Sequence, residues 1–446
     1  MNIKNFFISI LLIILVYGYF STTSNRLTGK KIDYSCKDCN VVFVSFDTLR
    51  EDHTSYSGYV RNTTPNIDKF TKSGFVFTNT ISVSSWTLPS SMSWFTGVYP
   101  SKHKVTNKYT VLPSGEEEIT NLSHVSPNLK TLAEVFKENG YLTGGFTGGA
   151  GVHRQFGFDK GFDVYIDDKD FAGFEYTYPK AIEWIKQNKD KKLFVFLHGY
   201  NIHGQYEPPG GYDKRFVDFE YKGKLTGSKD EQKDLREEGL SRGQIYLTKD
   251  DVRFLTDLYD EKIQRADELF SKFIREYKQL GLIGKTVFVL TSDHGEELYD
   301  HGQIDHGHNL YDELIKVPLI ITSPYSIRAR KIDSQVSSID IPPTILDLLG
   351  LLNSSKMSQQ LQGKSLISLI KGEKVLRDVF SETDYRYAVF LRSIRTSDRW
   401  KLIKNLEQKL DYLFNLNTDK DEKNNQSTKE NIKLNDLNNI ITKYLD

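Results

Sequence analysis

Three apolar, β-branched runs constrain the fold of this chain most. They occupy residues 40–46, 193–198 and 286–292. Continuous runs of this length and composition are typical of strands in a parallel sheet that is buried on both faces. Asp47 follows the first run directly, and Asp293 follows the third. Because ligands of open α/β sheets bind outside the carboxyl ends of the strands, the sequence predicts a functional site at these ends.

The length and charge of the chain limit its architecture and its partners. With 446 residues it can form one large α/β domain and a smaller appendage. Its 59 acidic and 59 basic residues leave no net charge. We therefore expect no nucleic acid partner.

Three further segments are predicted from their patterns. Residues 250–280 carry apolar side chains at helical spacing, which predicts a long packing helix without a chemical role. Residues 216–249 are charged and poorly patterned, which predicts a surface excursion that could line a cleft. After residue 377, short strand-like segments alternate with turns. The last stretch, rich in Asn, Lys and Asp, predicts a solvated helix.

An uncharged apolar run occupies residues 6–20, just after Lys4. The run is long for the apolar part of a signal peptide, and slightly short of the roughly 17–25 residues of a membrane span. No pair of small residues marks a cleavage site after it. We expect an export signal that stays as a membrane anchor, with the protein outside the cytoplasm, or secreted if the segment is cleaved.

The chain has two cysteines, Cys36 and Cys39. A lone pair of cysteines cannot complete a tetrahedral zinc site. Outside the cytoplasm the two could close a small loop or pair with another protein. They could equally have no structural role.

Hydroxyl residues crowd the start of a helix-compatible segment between residues 84 and 100, which Gly97 and Pro100 end. Backbone N–H groups and the helix dipole gather positive potential at a helix start, where an anion or an activated oxygen is stabilised. The alternative is an ordinary N-cap, in which these hydroxyls only satisfy the first helical donors.

The order T-x-P-S from Thr87 and T-G-x-x-P from Thr96 resembles the signature of the sulfatase family in the alkaline-phosphatase superfamily. In that signature a Cys or Ser stands first, and an Arg follows the Ser that comes after the Pro. In this chain Thr87 holds the first position, and Ser91 holds the position of the Arg. Related phosphoryl hydrolases and transferases use Thr as the nucleophile. The resemblance covers residues about 38 to 420. It implies an α/β fold with a large mixed, mostly parallel sheet flanked by helices (38–376) and a small C-terminal antiparallel subdomain with a tail (377–446), after an anchor and linker (1–37).

The resemblance also implies a metal site. It makes Asp47 the first metal ligand; the next position, usually a second Asp, holds Thr48. Asp293 and His294 offer one oxygen and one nitrogen, a pair that suits zinc or manganese better than calcium. With Thr87 they complete a four-ligand site for one divalent ion. A metal ion there would make the Thr87 hydroxyl a stronger nucleophile.

Three histidines are candidates for contacting the substrate. His203 matches the second His of a family pattern that touches the anionic group of the substrate. His308 best matches a family Lys, and His306 is its neighbour. We predict catalytic roles for His203 and His308, and substrate binding by all three. A second metal held by this histidine cluster is the alternative.

Together these features predict an extracytoplasmic, metal-dependent hydrolase of phosphate or sulfate esters on a small molecule, glycan or lipid, with Thr87 as the nucleophile. Thr cannot become the formylglycine that sulfatases make from Cys or Ser, which favours phosphate esters. One alternative is a membrane-anchored transferase of a phosphoryl-linked group to an envelope lipid or polymer. Another is a non-catalytic binding protein, against which the four compatible ligands argue.

Overall fold

The computed structural model of the protein describes residues 34–106, 110–111, 117–118, 123–206, 215–217, 220–324, 329–386 and 389–445. The predicted anchor at residues 6–20 lies outside them. No helix within these described ranges is long and apolar enough to cross a membrane.

The strands and helices are numbered in chain order. The strands are β1 (Asn40–Phe46), β2 (Gly74–Ile81), β3 (Thr110–Val111), β4 (Glu117–Glu118), β5 (Tyr141–Phe146), β6 (Val164–Ile166), β7 (Lys192–Gly199), β8 (Thr286–Thr291), β9 (Glu297–Leu298), β10 (Ile304–Asp305), β11 (Lys316–Thr322), β12 (Arg330–Ile332), β13 (Val336–Ser337), β14 (Val379–Tyr385), β15 (Val389–Arg395), β16 (Trp400–Asn405) and β17 (Leu410–Asn415). The α-helices are α1 (Pro65–Thr71), α2 (Thr87–Thr96), α3 (Pro100–His103), α4 (Leu132–Glu138), α5 (Phe174–Gln187), α6 (Lys229–Arg242), α7 (Lys249–Gln279), α8 (Asp312–Ile315), α9 (Ile341–Leu348), α10 (Ile367–Lys371) and α11 (Asn431–Leu445).

A nine-stranded sheet dominates the described part of the chain. Its order is β12-β2-β11-β8-β1-β7-β5-β6, and β13 also pairs with β2. β6, β5, β7, β1 and β8 run parallel, whereas β11 is antiparallel to both of its neighbours. The apolar runs at residues 40–46, 193–198 and 286–292 form the three central strands, β1, β7 and β8. The mixed, mostly parallel sheet that we predicted is therefore confirmed.

The register of the central strands brings their carboxyl ends level. Ser45 of β1 lies opposite His198 of β7 on one side and opposite Thr291 of β8 on the other. The residues that follow β1 and β8 consequently meet at one edge of the sheet. This edge is where the sequence predicts the functional site.

Helix α7 is the predicted packing helix, and its first turn is fixed by reciprocal hydrogen bonds. The Thr248 hydroxyl accepts from the Asp251 N–H at 3.1 Å, and the Asp251 carboxylate accepts from the Thr248 N–H at 3.0 Å. Such a capping box stabilises a helix start. Leu255, Leu258 and Ile263 belong to the main hydrophobic core together with Val42 and Leu290 of the sheet.

The predicted antiparallel sheet near the C-terminus is also present, in the order β14-β15-β16-β17. Helix α11 packs on it: Leu437 and Ile441 are buried against Leu402 and Leu413. The terminal helix is largely solvated, as we expected, but one face of it packs on the sheet, because its apolar residues recur at helical spacing. The division of the chain at residue 376 stays a prediction.

Cys36 and Cys39 form a disulfide with each other. The Cys36 N–H donates to the Leu348 carbonyl at 2.6 Å, which ties this small loop to the end of α9. The sequence left open whether the two cysteines close a small loop, pair with another protein or have no structural role. In the structure they close the small loop within the chain.

Candidate active site

Thr87 is the first residue of α2, and its hydroxyl points away from the helix. Trp86 occupies the N-cap and makes no side-chain cap, while Gly97, with φ 68°, ends the helix. Every residue from Thr87 to Thr96 is buried. The Thr87 hydroxyl contacts Asp47 and His294 instead of the first helical N–H groups. The N-cap alternative therefore does not describe this residue.

Asp47, Thr87, Asp293 and His294 lie together at the ends of β1 and β8. Thr87 Oγ1 donates to Asp47 Oδ2 at 3.0 Å and lies 3.2 Å from His294 Nε2. His294 Nε2 is 3.8 Å from Asp47 Oδ1 and 3.5 Å from Asp293 Oδ2. The two carboxylates and His294 are fully buried, and Thr87 is 6 % exposed. The structure thus brings together the four residues predicted as metal ligands.

This cluster has too few hydrogen-bond donors for its acceptors. Asp47 Oδ1 and Asp293 Oδ2 are buried, and neither has a hydrogen-bond partner among the described residues. His294 Nδ1 donates to the Gly295 carbonyl at 2.8 Å, because a carbonyl can only accept. Its Nε2 therefore carries the lone pair and faces the Thr87 hydroxyl. Buried acceptors that converge in this way fit a divalent cation, and the backbone bond fixes the ring in the tautomer a metal ligand needs.

The pKa values in the cluster reflect its burial and its crowding of negative charge. Burial, reinforced by the neighbouring Asp293, raises the pKa of Asp47 well above its ordinary value. Burial alone would raise the pKa of Asp293 too, but His294 and His198 lower it below its ordinary value. Burial lowers the pKa of His294 to about 4. A neutral His294 is the form that binds a metal.

His203 and His306 lie next to this cluster. The ring of His306 is centred 4.4 Å from that of His294 and 5.0 Å from that of His203. His306 Nδ1 lies 2.9 Å from Asp305 Oδ1 and 3.3 Å from Glu296 Oε1. Burial alone would lower the pKa of His306, but these two carboxylates raise it well above its ordinary value. An imidazole with a raised pKa thus lies beside the candidate metal ligands.

His308 is held differently from its neighbour. Its Nε2 lies 2.8 Å from Glu297 Oε2, and it lines another cavity together with His301 and Tyr311. The described contacts do not connect it to Thr87. A catalytic or substrate-binding role for His308 stays a prediction.

Glu296, Asp305 and His306 also meet the geometry of a metal site, with their ligand atoms within 4.8 Å of one another. The second-metal alternative therefore has a defined set of residues and stays a prediction.

Comparison with models of protein families identifies the family of this chain. The family model described as Sulfatase matches residues 39–351. This chain belongs to the sulfatase family. A second model, described as the C-terminal part of N-sulphoglucosamine sulphohydrolase, matches residues 299–445 and so includes the antiparallel sheet.

Individual sulfatase relatives align over part of their length. Arylsulfatase K of Bos taurus is 28 % identical over 197 residues, which cover 41 % of this chain and 35 % of the relative. The ulvan-active sulfatase of Formosa agariphila is 25 % identical over 379 residues, which cover 78 % of this chain and 58 % of the relative. The chain thus spans about a third of the first relative and less than two thirds of the second.

Solved structures share the fold. The phosphonate monoester hydrolase of Agrobacterium radiobacter superposes with a TM-score of 0.71 and 18 % identity, over 91 % of this chain and 95 % of that one. A protein solved with its substrate D-glucosamine-2-N,6-O-disulfate gives a TM-score of 0.70 and 20 % identity, over 92 % and 97 % of the two chains. At this identity the likeness concerns the fold.

The turn after β1 departs from the usual sulfatase pattern at Thr48. Thr48 has φ 61°, a left-handed conformation that is strained for a β-branched residue. Its carbonyl accepts from the Tyr259 hydroxyl at 2.6 Å, and the same hydroxyl accepts from the Arg50 N–H at 3.0 Å. Tyr259 therefore holds the turn that carries Asp47. Thr48 Oγ1 has no hydrogen-bond partner in the described structure.

A glycine loop covers the candidate nucleophile. A Cβ on Gly151 would lie 2.8 Å from Thr87 Cβ, so only glycine allows this approach. The Gly151 N–H donates to the Tyr200 hydroxyl at 3.0 Å, which donates to the Gly149 carbonyl at 3.1 Å. Ser91, at the position of the Arg in the sulfatase signature, is fully buried and uncharged.

A cavity of about 640 Å³ opens beside His203. It is bordered by Phe171 and Asp305, and by Lys229, Gln232 and Lys233 of α6. The charged segment that we expected to line a cleft thus forms a helix at the cavity wall. The space is large enough for the alcohol part of an ester, and His203 is among the residues that line it.

Two residues near the site were not assigned a role from the sequence. His198 is fully buried, and its Nε2 lies 3.6 Å from Asp47 Oδ2. Neither of its ring nitrogens has a hydrogen-bond partner within the ranges that the structure describes. Its place at the end of a buried strand was the available signal. Lys262 is buried on the apolar face of α7, between Tyr259 and Ala266. A Lys at a core position of an amphipathic helix was the signal there.

Proposed function

We propose that this chain is an extracytoplasmic, metal-dependent hydrolase of phosphate or sulfate esters that uses Thr87 as its nucleophile. The observation that carries the proposal is the meeting of the Thr87 hydroxyl with Asp47, Asp293 and His294 in a buried cluster. Membership of the sulfatase family supports ester hydrolysis. The names of the relatives and structural neighbours, sulfatases and a phosphonate hydrolase, favour hydrolysis over the transferase alternative.

Asp47, Thr87, Asp293 and His294 would hold one divalent ion, zinc or manganese, which when bound would stabilise negative charge and lower the pKa of the Thr87 hydroxyl. Asp47 Oδ2 accepts a hydrogen bond from this hydroxyl in the structure. The position of Thr87 at the start of α2 adds the positive end of a helix dipole. Thr87 Oγ1 attacks the phosphorus or sulfur atom as its proton passes to Asp47 Oδ2, and the ester oxygen departs on the opposite side. A water molecule then hydrolyses the resulting Thr87 ester, which releases phosphate or sulfate and restores the hydroxyl.

His306 and His203 contact the other oxygens of the substrate in this proposal. His306, kept protonated by Asp305 and Glu296, pairs with a non-bridging oxygen. Burial lowers the pKa of His203 well below its ordinary value, and nearby His306 lowers it further. An incoming anionic ester raises the pKa of a histidine beside it, so His203 can then protonate the departing oxygen.

The disulfide between Cys36 and Cys39 supports a location outside the cytoplasm, since disulfides persist in oxidising compartments. Anchoring by residues 6–20 is proposed from the sequence alone. The relatives act, by their names, on sulfated molecules such as ulvan. A small-molecule, glycan or lipid ester is accordingly the proposed substrate.

The test compares aryl phosphate, aryl phosphodiester and aryl sulfate as substrates, with zinc or manganese added. We expect turnover of phosphate esters, and a loss of at least about a thousandfold in Thr87→Val, which keeps the shape of the side chain without the hydroxyl. Thr87→Ser should retain part of the activity. Turnover of aryl sulfate alone would overturn the preference for phosphate, and full activity of Thr87→Val would overturn the nucleophile.

A further inference from the structure

Lys262 is buried beside the candidate active site without an ion-pair partner. It is 7 % exposed. Its Nζ donates to the carbonyl of Gln205 at 2.6 Å and to the carbonyl of His203. No carboxylate lies within ion-pair distance of it in the described part of the chain. Because a buried ammonium group without a carboxylate costs free energy, a lysine at this place needs a reason.

The two carbonyls belong to the loop that carries His203. Gln205 has φ 67°, a left-handed conformation, and its N–H donates to the Gln232 side chain on α6. A Cβ on Gly204 would collide with the same Gln232 side chain. Two helices thus hold the loop: Lys262 of α7 through its carbonyls, and Gln232 of α6 through an N–H.

Apart from this backbone, few contacts fix the position of the His203 imidazole. Its Nδ1 lies 3.3 Å from the Gly204 carbonyl, which is a long hydrogen bond. The rings of Phe171, Tyr200 and His306 are centred 5.0–5.5 Å from its own. The position of this ring therefore follows from the position of the backbone at residues 203–205.

The charge of Lys262 also acts on this region. Burial lowers its pKa to about 7, although Glu296 and Asp47 oppose the change. Tyr206 lies under the ammonium group, 5.7 Å from Nζ to the ring centre. A shorter or uncharged side chain would leave two backbone carbonyls without their donor.

We propose that Lys262 is a positioning residue, which fixes the backbone at His203 and Gln205 so that the His203 imidazole stays beside His306 and the departing oxygen. The inference rests on the proposed function, because it assigns His203 to the departing oxygen.

The test uses Lys262→Met, which keeps the length of the side chain without its donors, and Lys262→Arg, which keeps the charge. Lys278→Met is the control, since Lys278 lies exposed on the same helix. Turnover is measured for aryl esters whose leaving groups range from good to poor. We expect Lys262→Met to lower kcat about 10- to 100-fold for poor leaving groups and much less for good ones, with KM nearly unchanged. Lys262→Arg should recover part of the loss, and Lys278→Met should match the wild type.

A double mutant separates positioning from general loss of structure. His203→Ala should show the same dependence on the leaving group, and Lys262→Met added to it should cost nothing more. Equal losses for all leaving groups, or multiplying losses in the double mutant, would overturn the inference. If His203→Ala has full activity, the proposed role of His203 fails instead.

Hydrogen exchange tests the same contact without any activity. In Lys262→Met, amides of residues 200–206 should exchange at least about tenfold faster than in the wild type, whereas α11 should be unchanged. Unchanged exchange at residues 200–206 would overturn the inference even if no ester is cleaved.

Discussion

The carboxylates of Asp47 and Asp293 face each other from the ends of adjacent parallel strands, and each has one buried oxygen that finds no hydrogen-bond partner in the described part of the chain. Two such groups repel each other unless a proton or a cation lies between them. Burial raises the pKa of Asp47 well above its ordinary value, and the charge of Asp293 raises it further.

Replacing one of these carboxylates should therefore have opposite effects with and without metal. We expect Asp293→Asn to be at least as stable as the wild type in chelator, because the repulsion is removed. Zinc or manganese at about 100 times its Kd should stabilise the wild type by about 2.7 kcal/mol and the variant far less. Thermal unfolding with and without metal measures both effects, with exposed Asp190→Asn as the control. If neither metal changes the Tm of the wild type, the proposed metal site is wrong.

Lys229 and Lys233 should recognise a second anionic group on the substrate. They lie four residues apart on α6, both line the cavity beside His203, and neither pairs with an acid in the described structure. Like charges at this spacing repel slightly, and a bound anion would relieve the repulsion. The variant Lys229→Gln/Lys233→Gln should raise KM about 5- to 20-fold for esters with a second sulfate or phosphate, and hardly at all for simple aryl esters. The comparison is made at low salt, with Lys224→Gln as the control. Equal increases in KM for both kinds of ester would mean that the second anionic group of the substrate does not bind at these two lysines.

His103 should make the fold sensitive to acid. It is 2 % exposed behind α2, and its Nδ1 accepts from the Val105 N–H at 3.0 Å. Burial lowers its pKa to about 3 from an ordinary value of 6.5. Below pH 6.5 the unfolded chain binds a proton there that the folded chain does not. Stability is thus lost as the pH falls from 6.5 towards 3, by up to about 1.4 kcal/mol per pH unit.

Denaturant unfolding at several pH values tests this dependence. His103→Gln, which does not titrate in this range, should lower stability at pH 7 but give a shallower slope between pH 6.5 and 4. His124→Gln, at an exposed position, should keep the wild-type slope. An unchanged slope in His103→Gln would assign the sensitivity to other groups.

Lys401 should be essential to the stability of the antiparallel sheet. Its side chain is fully buried and pairs with Asp312 and Glu422, each at 2.8 Å. Lys401→Met leaves both carboxylates without this partner and should destabilise the protein by about 3–5 kcal/mol. Lys404→Met removes a partly exposed pair with Asp411, in which each side chain is 23 % exposed, and should cost at most about 1 kcal/mol. Denaturant unfolding compares the two variants. Similar small losses in both would show that the buried network contributes little.

The sequence predicted those parts of the site that depend on local structure. Asp47 and Asp293 end continuous apolar runs, and Thr87 begins a helix, so strand and helix signals located them. Their convergence follows from the common direction of β1 and β8. The ligand roles of these residues stay predictions until metal binding is measured.

Spacing along the chain was less informative for the histidines. His306 and His308 are two residues apart, but Gly307 between them has φ 87°. This left-handed turn separates the two rings: one approaches His294 and the other contacts Glu297. A match by position alone could not distinguish them. Lys262 depends on a tertiary contact between α7 and the loop after β7, for which no short pattern exists.

The distance in sequence between the members of the cluster has a consequence for biosynthesis. Thr87 and His294 touch although 207 residues separate them in the chain. A nascent chain that ends before β8 carries the Thr87 hydroxyl and Asp47, but it lacks both Asp293 and His294. We therefore expect the capacity to bind metal to arise late in synthesis, as a single event when β8 inserts beside β1. The ion would then lock a nearly finished fold rather than template an early one.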